Sequence, residues 1–326
     1  MIIVPRGTFI LNRGIRIRTG MPSDYARLNS LHPVSKDAGK LKNRILDGCV
    51  LLAESGKGLL ASVALDLDLK EIAAFNVDRA RDTSNLGGRM ITSAERLAVR
   101  FGILDLRVIP SKQQLSLFHS CGYREDHSAD GSRYGGGPVL HRSFPRRQTR
   151  YSRQIGNLLT SLGIERDYAR SHRIPLQEEA SVLSTTGPDV YDREQFMHTP
   201  AADAWLNMKE QAGGDGVELQ AVSAFRSVSY QEGIVRRKLD KGQSLTDILK
   251  VSAAPGFSEH HTGRAMDITT PDYPVLEEEF EKSAAFEWLQ VNAGKFDFHL
   301  SFPRNNRHGV AYEPWHWAWK SVEGAG

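Results

Sequence analysis

"FSEHHTGRAMDIT", residues 257–269, gathers two histidines, a glycine and an aspartate and then runs into apolar residues. Pro255 and Gly256 precede it, so the backbone around His260 is free to aim an imidazole. Gly263 permits a close turn into "RAMDI", which reads as a strand. There Ala265 and Asp267 share one face, while Arg264, Met266 and Ile268 share the other. A small alanine beside a carboxylate leaves room for an ion and a substrate. The competing structural reading is a buried aspartate bonded to backbone and a surface histidine. The rest of the chain has to choose between them.

Two other stretches bear on that choice. "AYEPWHWAWK", residues 311–320, supplies Glu313 and, three positions on, His316. Pro314 fixes part of the loop, and Trp315, Trp317 and Trp319 are expected to wall the site with apolar surface. Such a wall would raise the pKa of Glu313 toward neutrality, which suits a general base. Core packing would explain the tryptophans equally well, but not the pairing of Glu313 with His316. "SAFRSVSYQ", residues 223–231, puts Arg226 at the end of a strand-like run, just before a helix. A guanidinium there could grip a carboxylate or a peptide carbonyl bidentately; a surface ion pair is the alternative. A catalytic zinc site needs three ligands of the His/carboxylate type and one open position, and these stretches hold them.

Taken in order, "SAFRSVSYQ", "SEHHTGRAMDI" and "YEPWHW" resemble the VanY-type D-alanyl-D-alanine carboxypeptidases, zinc peptidases of peptidoglycan. The family's Ser-x-His-x-x-Gly-x-Ala-x-Asp is met by Ser258, His260, Gly263, Ala265 and Asp267, and its Glu-x-x-His by Glu313 and His316. The resemblance spans about residues 150–320. It implies that His260, Asp267 and His316 hold Zn2+ and that Glu313 is the catalytic base. It implies that Arg226 holds a substrate carbonyl or carboxylate and stabilises developing charge. Ser258, and with it Gln231, would bind the peptide end. His261 falls at a position the pattern leaves free, in a supporting or solvent-facing role. One departure concerns substrate fine structure: Ala318 and Trp319 stand where the family often has an arginine or tyrosine. The implied reaction removes a terminal D-alanine from D-Ala-terminated peptidoglycan peptides. The rival readings are a non-catalytic module that binds such peptides and an N-acetyltransferase with an appended peptidase-like domain. Glu313 argues against the first.

Working outward, the first half reads as mixed α/β. "IRIR" (15–18) alternates as a strand, and Ser23 and Asp24 are candidate helix N-caps. "CVLLAES", "GLLASVALDLD" and "EIAAFNV" are three further strand-like runs. "GGRMITSAERLAVRFG" (87–102) carries a helical stripe at Met90, Ala94, Leu97, Ala98 and Phe101. That helix, "LDLRVI" and "LFHSCGY" resemble the GNAT-type N-acetyltransferases over about residues 14–145. The resemblance implies a mixed sheet with helices and a loop that cradles acetyl-CoA phosphate on backbone N–H groups. Here the matching "TSNLGG" has Thr83 and Leu86 in place of the family's basic or amide residue and first glycine. His119 stands where that family often has a tyrosine acid. A branched Leu86 side chain near the phosphate would oppose acetyl-CoA binding, so a folded scaffold without tight binding is expected.

At 326 residues, two domains are expected. "RSFPRRQTRYSR" (142–153) marks the seam, with a GNAT-like domain at 1–145 and a zinc D,D-peptidase domain at 146–326. The fold class is α/β and α+β, the second domain carrying a small antiparallel sheet. "TPAADAWLNMKEQA" (199–212) should open with Thr199 as N-cap and Pro200 at the first helical position. The net charge of +3 is small, which does not favour a nucleic-acid partner. Cys49 and Cys121 form no metal or disulfide pattern. No apolar run reaches the length of a membrane span, and the start shows no signal-peptide core, so a cytoplasmic location is expected. Cell-wall chemistry would instead place its action outside the cytoplasm, unless the substrates are recycled peptides.

Overall fold

The computed structural model describes residues 9–11, 15–31, 38–56, 58–78, 85–127, 137–144 and 149–320. Thr83 and residues 145–148 of the seam lie outside them. The chain divides into two compact units, the second being Arg150–Ser321.

Among the described residues of the first unit eight strands form one sheet: β1 (Phe9–Leu11), β2 (Ile15–Thr19), β3 (Val50–Ser55), β4 (Gly58–Asp66), β5 (Glu71–Val77), β6 (Asp105–Val108), β7 (Arg124–Glu125) and β8 (Leu140–Ser143). Their order is β1-β2-β3-β4-β5-β6-β8-β7. Helices α1 (Tyr25–Leu31), α2 (Ala38–Leu46), α3 (Leu86–Arg100) and α4 (Leu115–Ser120) accompany it. Strand alternation sorts β3 between two cores. Leu51 and Ala53 join Met90, Ala94, Leu97 and Ala98 of α3, while Val50 and Leu52 join Leu28, Leu41 and Ile45 of α1 and α2. The helical stripe read from the sequence is therefore the core face of α3. The parallel neighbours β5 and β6 pair only at Glu71–Arg107 and Ile72–Val108. Further along, Gln114 Nε2 donates to the Phe75 carbonyl at 3.1 Å.

Three local expectations are corrected here. Asp24 is not an N-cap: it ends a 3-10 turn, Pro22–Asp24, and accepts from Met21 N at 2.8 Å and from Arg18 at 2.5 and 2.7 Å. Ser23 lies inside the same turn. Leu86 does not obstruct a phosphate with its side chain, which is 1% exposed and packed in the α3 core. Asn85, in the left-handed region at φ 53°, leads the chain into α3 instead. His119 is exposed near the end of α4.

The second unit contains α5 (Arg150–Ser161), α6 (Tyr168–Ser171), β9 (Ser184–Pro188), β10 (Glu194–Met197), α7 (Thr199–Gly214), β11 (Gln220–Ser223), α8 (Val228–Asp240), α9 (Leu245–Val251), β12 (Ala265–Thr269), α10 (Ala284–Asn292), β13 (Phe298–Leu300) and β14 (His316–Trp319). β9 and β10 pair with each other, and β11-β12-β14-β13 form an antiparallel sheet. One face of that sheet packs on α7 and α10 through Met266, Ile268, Trp205, Met208 and Leu289. A second core joins α5, α6, α8 and α9 through Ile155, Tyr168, Val235 and Ile248. The N-cap of α7 is His198, one residue earlier than expected. Thr199 is already helical, and its hydroxyl meets Ser184 Oγ at 2.8 Å. Among the described residues no helix is long and apolar enough to cross a membrane.

Candidate metal centre

The register of β12 on β14 sets Asp267 opposite His316 and Ala265 opposite Ala318, with Met266 opposite Trp317 between them. Alternation therefore sends Asp267, His316 and the two alanines to one face and Met266, Trp317 and Trp319 to the other, into the core. This corrects the expected tryptophan wall: Trp317 and Trp319 are core residues behind the site, and the ring beside His316 is Phe302, at 5.0 Å.

His260 arrives from a 3-10 turn, Glu259–Thr262, which ends at Gly263 with φ 62°. Its Nδ1 meets the Ala224 carbonyl at 2.5 Å and must carry the proton, which leaves Nε2 with a lone pair. That Nε2 is buried without a hydrogen-bond partner and lies 3.2 Å from Asp267 Oδ2. Burial, with Arg226 second, lowers the His260 pKa to about 4, so the ring is neutral. A lone pair facing a carboxylate oxygen in a dry interior is unfavourable unless a cation lies between them. His316 Nδ1 faces Asp267 Oδ1 at 3.0 Å. Burial alone would lower the His316 pKa, but its bonds to Asp267 and Glu259 raise it to about 10. Asp267 is pulled well below the usual carboxylate range by the two histidines, against the effect of burial.

His260, Asp267 and His316 each offer one ligand atom, all within 4.8 Å of one another, and all three residues are buried. Two imidazoles and a carboxylate are the donor set of a catalytic zinc site, and the unpartnered Nε2 is what such an ion would satisfy. The residues present fit the metal.

Glu313 stands next to this cluster, with Oε2 3.9 Å from His316 Nδ1. Its pKa is pushed up to about 7, by burial first and then by Asp267 and Glu259, against His316 and Arg226. Arg226 NH2 lies 3.6 Å from Asp267 Oδ2, and NH1 donates to Gln231 Oε1 at 3.4 Å. Gln231 is 1% exposed and gives its Nε2 to the Ala253 carbonyl at 2.8 Å, so it braces the guanidinium. Ser258 is buried at the head of the 3-10 turn.

Two residues of the centre escape a motif reading. Glu259 Oε2 takes His316 Nε2 at 3.1 Å; burial would raise the Glu259 pKa, but His316, Lys320 and Ser301 together hold it well below its ordinary value. His261 is not solvent-facing: it is fully buried, with Nδ1 2.6 Å from the Arg226 carbonyl and Nε2 accepting from Gly256 N at 3.0 Å. It ties the loop before the motif to the one carrying Arg226. The only sequence signal for either is adjacency to His260.

Two histidines and an aspartate beside a carboxylate of raised pKa are the equipment of a zinc hydrolase. Residues 194–322 match the model of the VanY family, described as D-alanyl-D-alanine carboxypeptidase, so the resemblance read from the motifs holds for this stretch. Over 128 residues the chain is 37% identical to YodJ of Bacillus subtilis (strain 168), whose name carries a provisional carboxypeptidase label. The match covers 38% of this chain and 46% of that protein. The chain spans about half the length of the curated relatives it matches. Among solved structures, the LdcB LD-carboxypeptidase is 31% identical, with a TM-score of 0.42, over 45% of this chain and 72% of that one. The PaiA N-acetyltransferase of Thermoplasma acidophilum, solved with coenzyme A, is 16% identical with a TM-score of 0.34. It covers 40% of this chain and 99% of its own.

Proposed function

We propose that residues 146–326 are a zinc-dependent carboxypeptidase domain that hydrolyses terminal D-Ala-D-Ala-type bonds of peptidoglycan peptides. Residues 1–145 are a GNAT-like domain. The observation that carries the peptidase reading is the buried set His260, Asp267 and His316, within 4.8 Å, with Glu313 beside it. The VanY match over residues 194–322 supplies the substrate class.

Zinc, when bound, supplies Lewis acidity to the scissile carbonyl and to the attacking water. Glu313, poised near neutrality, takes the proton from that water and delivers it to the leaving amine. Arg226 reaches the same space and stabilises negative charge developing on the carbonyl oxygen. Ser258 orients the peptide end. The products are free D-alanine and the shortened peptide.

The test is one zinc per chain by metal analysis, together with D-alanine release from a D-Ala-D-Ala-terminated peptide. Glu313→Gln keeps the size of the side chain but cannot accept the proton. It should retain zinc and peptide affinity while turnover falls by roughly two orders of magnitude or more. Near wild-type release by that variant overturns the role of Glu313. Peptide binding without any release by the wild type makes the domain a binding module.

A further inference from the structure

Helix α8 turns one face inward along Gln231, Val235 and Lys238, the first two being 1% and 0% exposed. These positions stack one above another on a helix, so Lys238 lies two turns beyond the glutamine that braces Arg226. Lys238 Nζ donates to Ser252 Oγ at 2.9 Å. Ser252 adjoins Ala253, whose carbonyl receives Gln231 Nε2. A continuous line of contacts thus leads from Asp267 through Arg226, Gln231 and the 252–253 backbone to Lys238.

The two cations on that line are answered differently. Arg226 has Asp267 at 3.6 Å. Lys238, half-buried, has only a neutral hydroxyl, and among the described residues no carboxylate lies within ion-pairing distance of it. Burial, and then Arg226, depress its pKa while Glu313 acts the other way, so the charges of both site residues act on Lys238. A partly desolvated ammonium beside a second cation is stabilised by an incoming anion. A peptide with its last bond at the metal centre carries one such anion, a residue's length from the scissile carbonyl.

We propose that Lys238 receives the terminal carboxylate of the peptide, leaving Arg226 to the scissile carbonyl. The proposal rests on the peptidase reading above and adds the group that makes the site select free chain ends. An endopeptidase has no use for a cation there; a carboxypeptidase does.

The experiment compares two peptides of the same D-Ala-D-Ala-terminated sequence, one a free acid and one a C-terminal amide. Their binding to zinc-loaded Glu313→Gln is measured by calorimetry. The free acid should bind at least about tenfold more tightly, the range expected of one charge-assisted contact. Adding Lys238→Met should erase that preference and leave affinity for the amide as it was. Adding Lys238→Arg instead should keep most of it, since the charge remains. An acid preference that survives Lys238→Met overturns the proposal. Equal binding of acid and amide before Lys238 is changed overturns it too, and spares the peptidase reading. Binding of neither peptide overturns both.

Discussion

Glu259 occupies a position that the motif leaves open, yet it fixes the second imidazole. By accepting the Nε2 proton of His316 it holds that ring so that Nδ1 faces Asp267. Carboxylates behind ligating histidines commonly change metal affinity about 10–100-fold. Glu259→Gln should therefore weaken zinc binding by that order, read by competition with a chelator, with the fold unchanged by circular dichroism. Unaltered affinity would show that His316 needs no brace. The convergence of His260, Asp267 and His316 was legible in the sequence because their spacing is a pattern. The sequence did not reveal Glu259, whose direction is set by a 3-10 turn that places it across from His316, 57 residues away. Arg226 was legible as a functional candidate; Lys238, two helical turns past Gln231, was legible only as part of a helix.

Among the elements, the turn that closes on Gly263 does most to position the centre. A Cβ at Gly263 would sit 2.7 Å from the backbone nitrogen of His198 and 2.9 Å from Leu183 Cδ2, at a φ of 62° that side chains disfavour. His198 N also donates to the Gly263 carbonyl at 2.8 Å, so neither side can retreat freely. Gly263→Ala should cost about 1–3 kcal/mol in urea unfolding. Zinc affinity should fall with it, because His260 lies three residues upstream. A variant with unchanged midpoint and affinity would show that the turn tolerates a side chain. The tryptophan run shows where strand reasoning was available but applied to the wrong face. Trp315, Trp317 and Trp319 alternate with His316 and Ala318, and alternation alone places the last two tryptophans behind the site. The cap of α7 was less accessible, since Thr199 Oγ1 is drawn to Ser184, a partner distant in sequence.

Over the whole molecule, each unit has its own core, and the periodicities of α3 and of the β strands were enough to expect this. Metal removal should accordingly act on one unit. Zinc at about 100 times its Kd adds about 2.7 kcal/mol to the unit that binds it. In calorimetry a chelator should lower one transition and leave the other in place; a shift of both by the same amount would contradict a metal confined to the second unit. Acid should weaken the first unit as well. Burial would raise the pKa of Asp24 and of Glu54, but hydrogen bonds from Arg18 bring both below their ordinary values. A carboxylate lowered on folding contributes stability above its unfolded pKa, near 4, and loses it as the pH falls through the folded value. Protection of first-unit amides should thus decline below about pH 4. Asp24→Asn should lose stability at neutral pH and show a shallower acid dependence. Identical acid profiles for the two proteins would remove Asp24 from the account.

The pairing of β12 with β14 has a consequence for how the protein is made. Asp267 and His316 are 49 residues apart, so a nascent chain displays two of the three proposed ligands before the third has been translated. At about 5–20 residues per second that interval lasts roughly 2–10 seconds. During it, His260 and Asp267 offer an ion only two of the three protein ligands a catalytic site requires. If the site holds the proposed zinc, stable capture must wait for β14 to emerge and dock, and metallation would be one of the last steps of this unit's biogenesis.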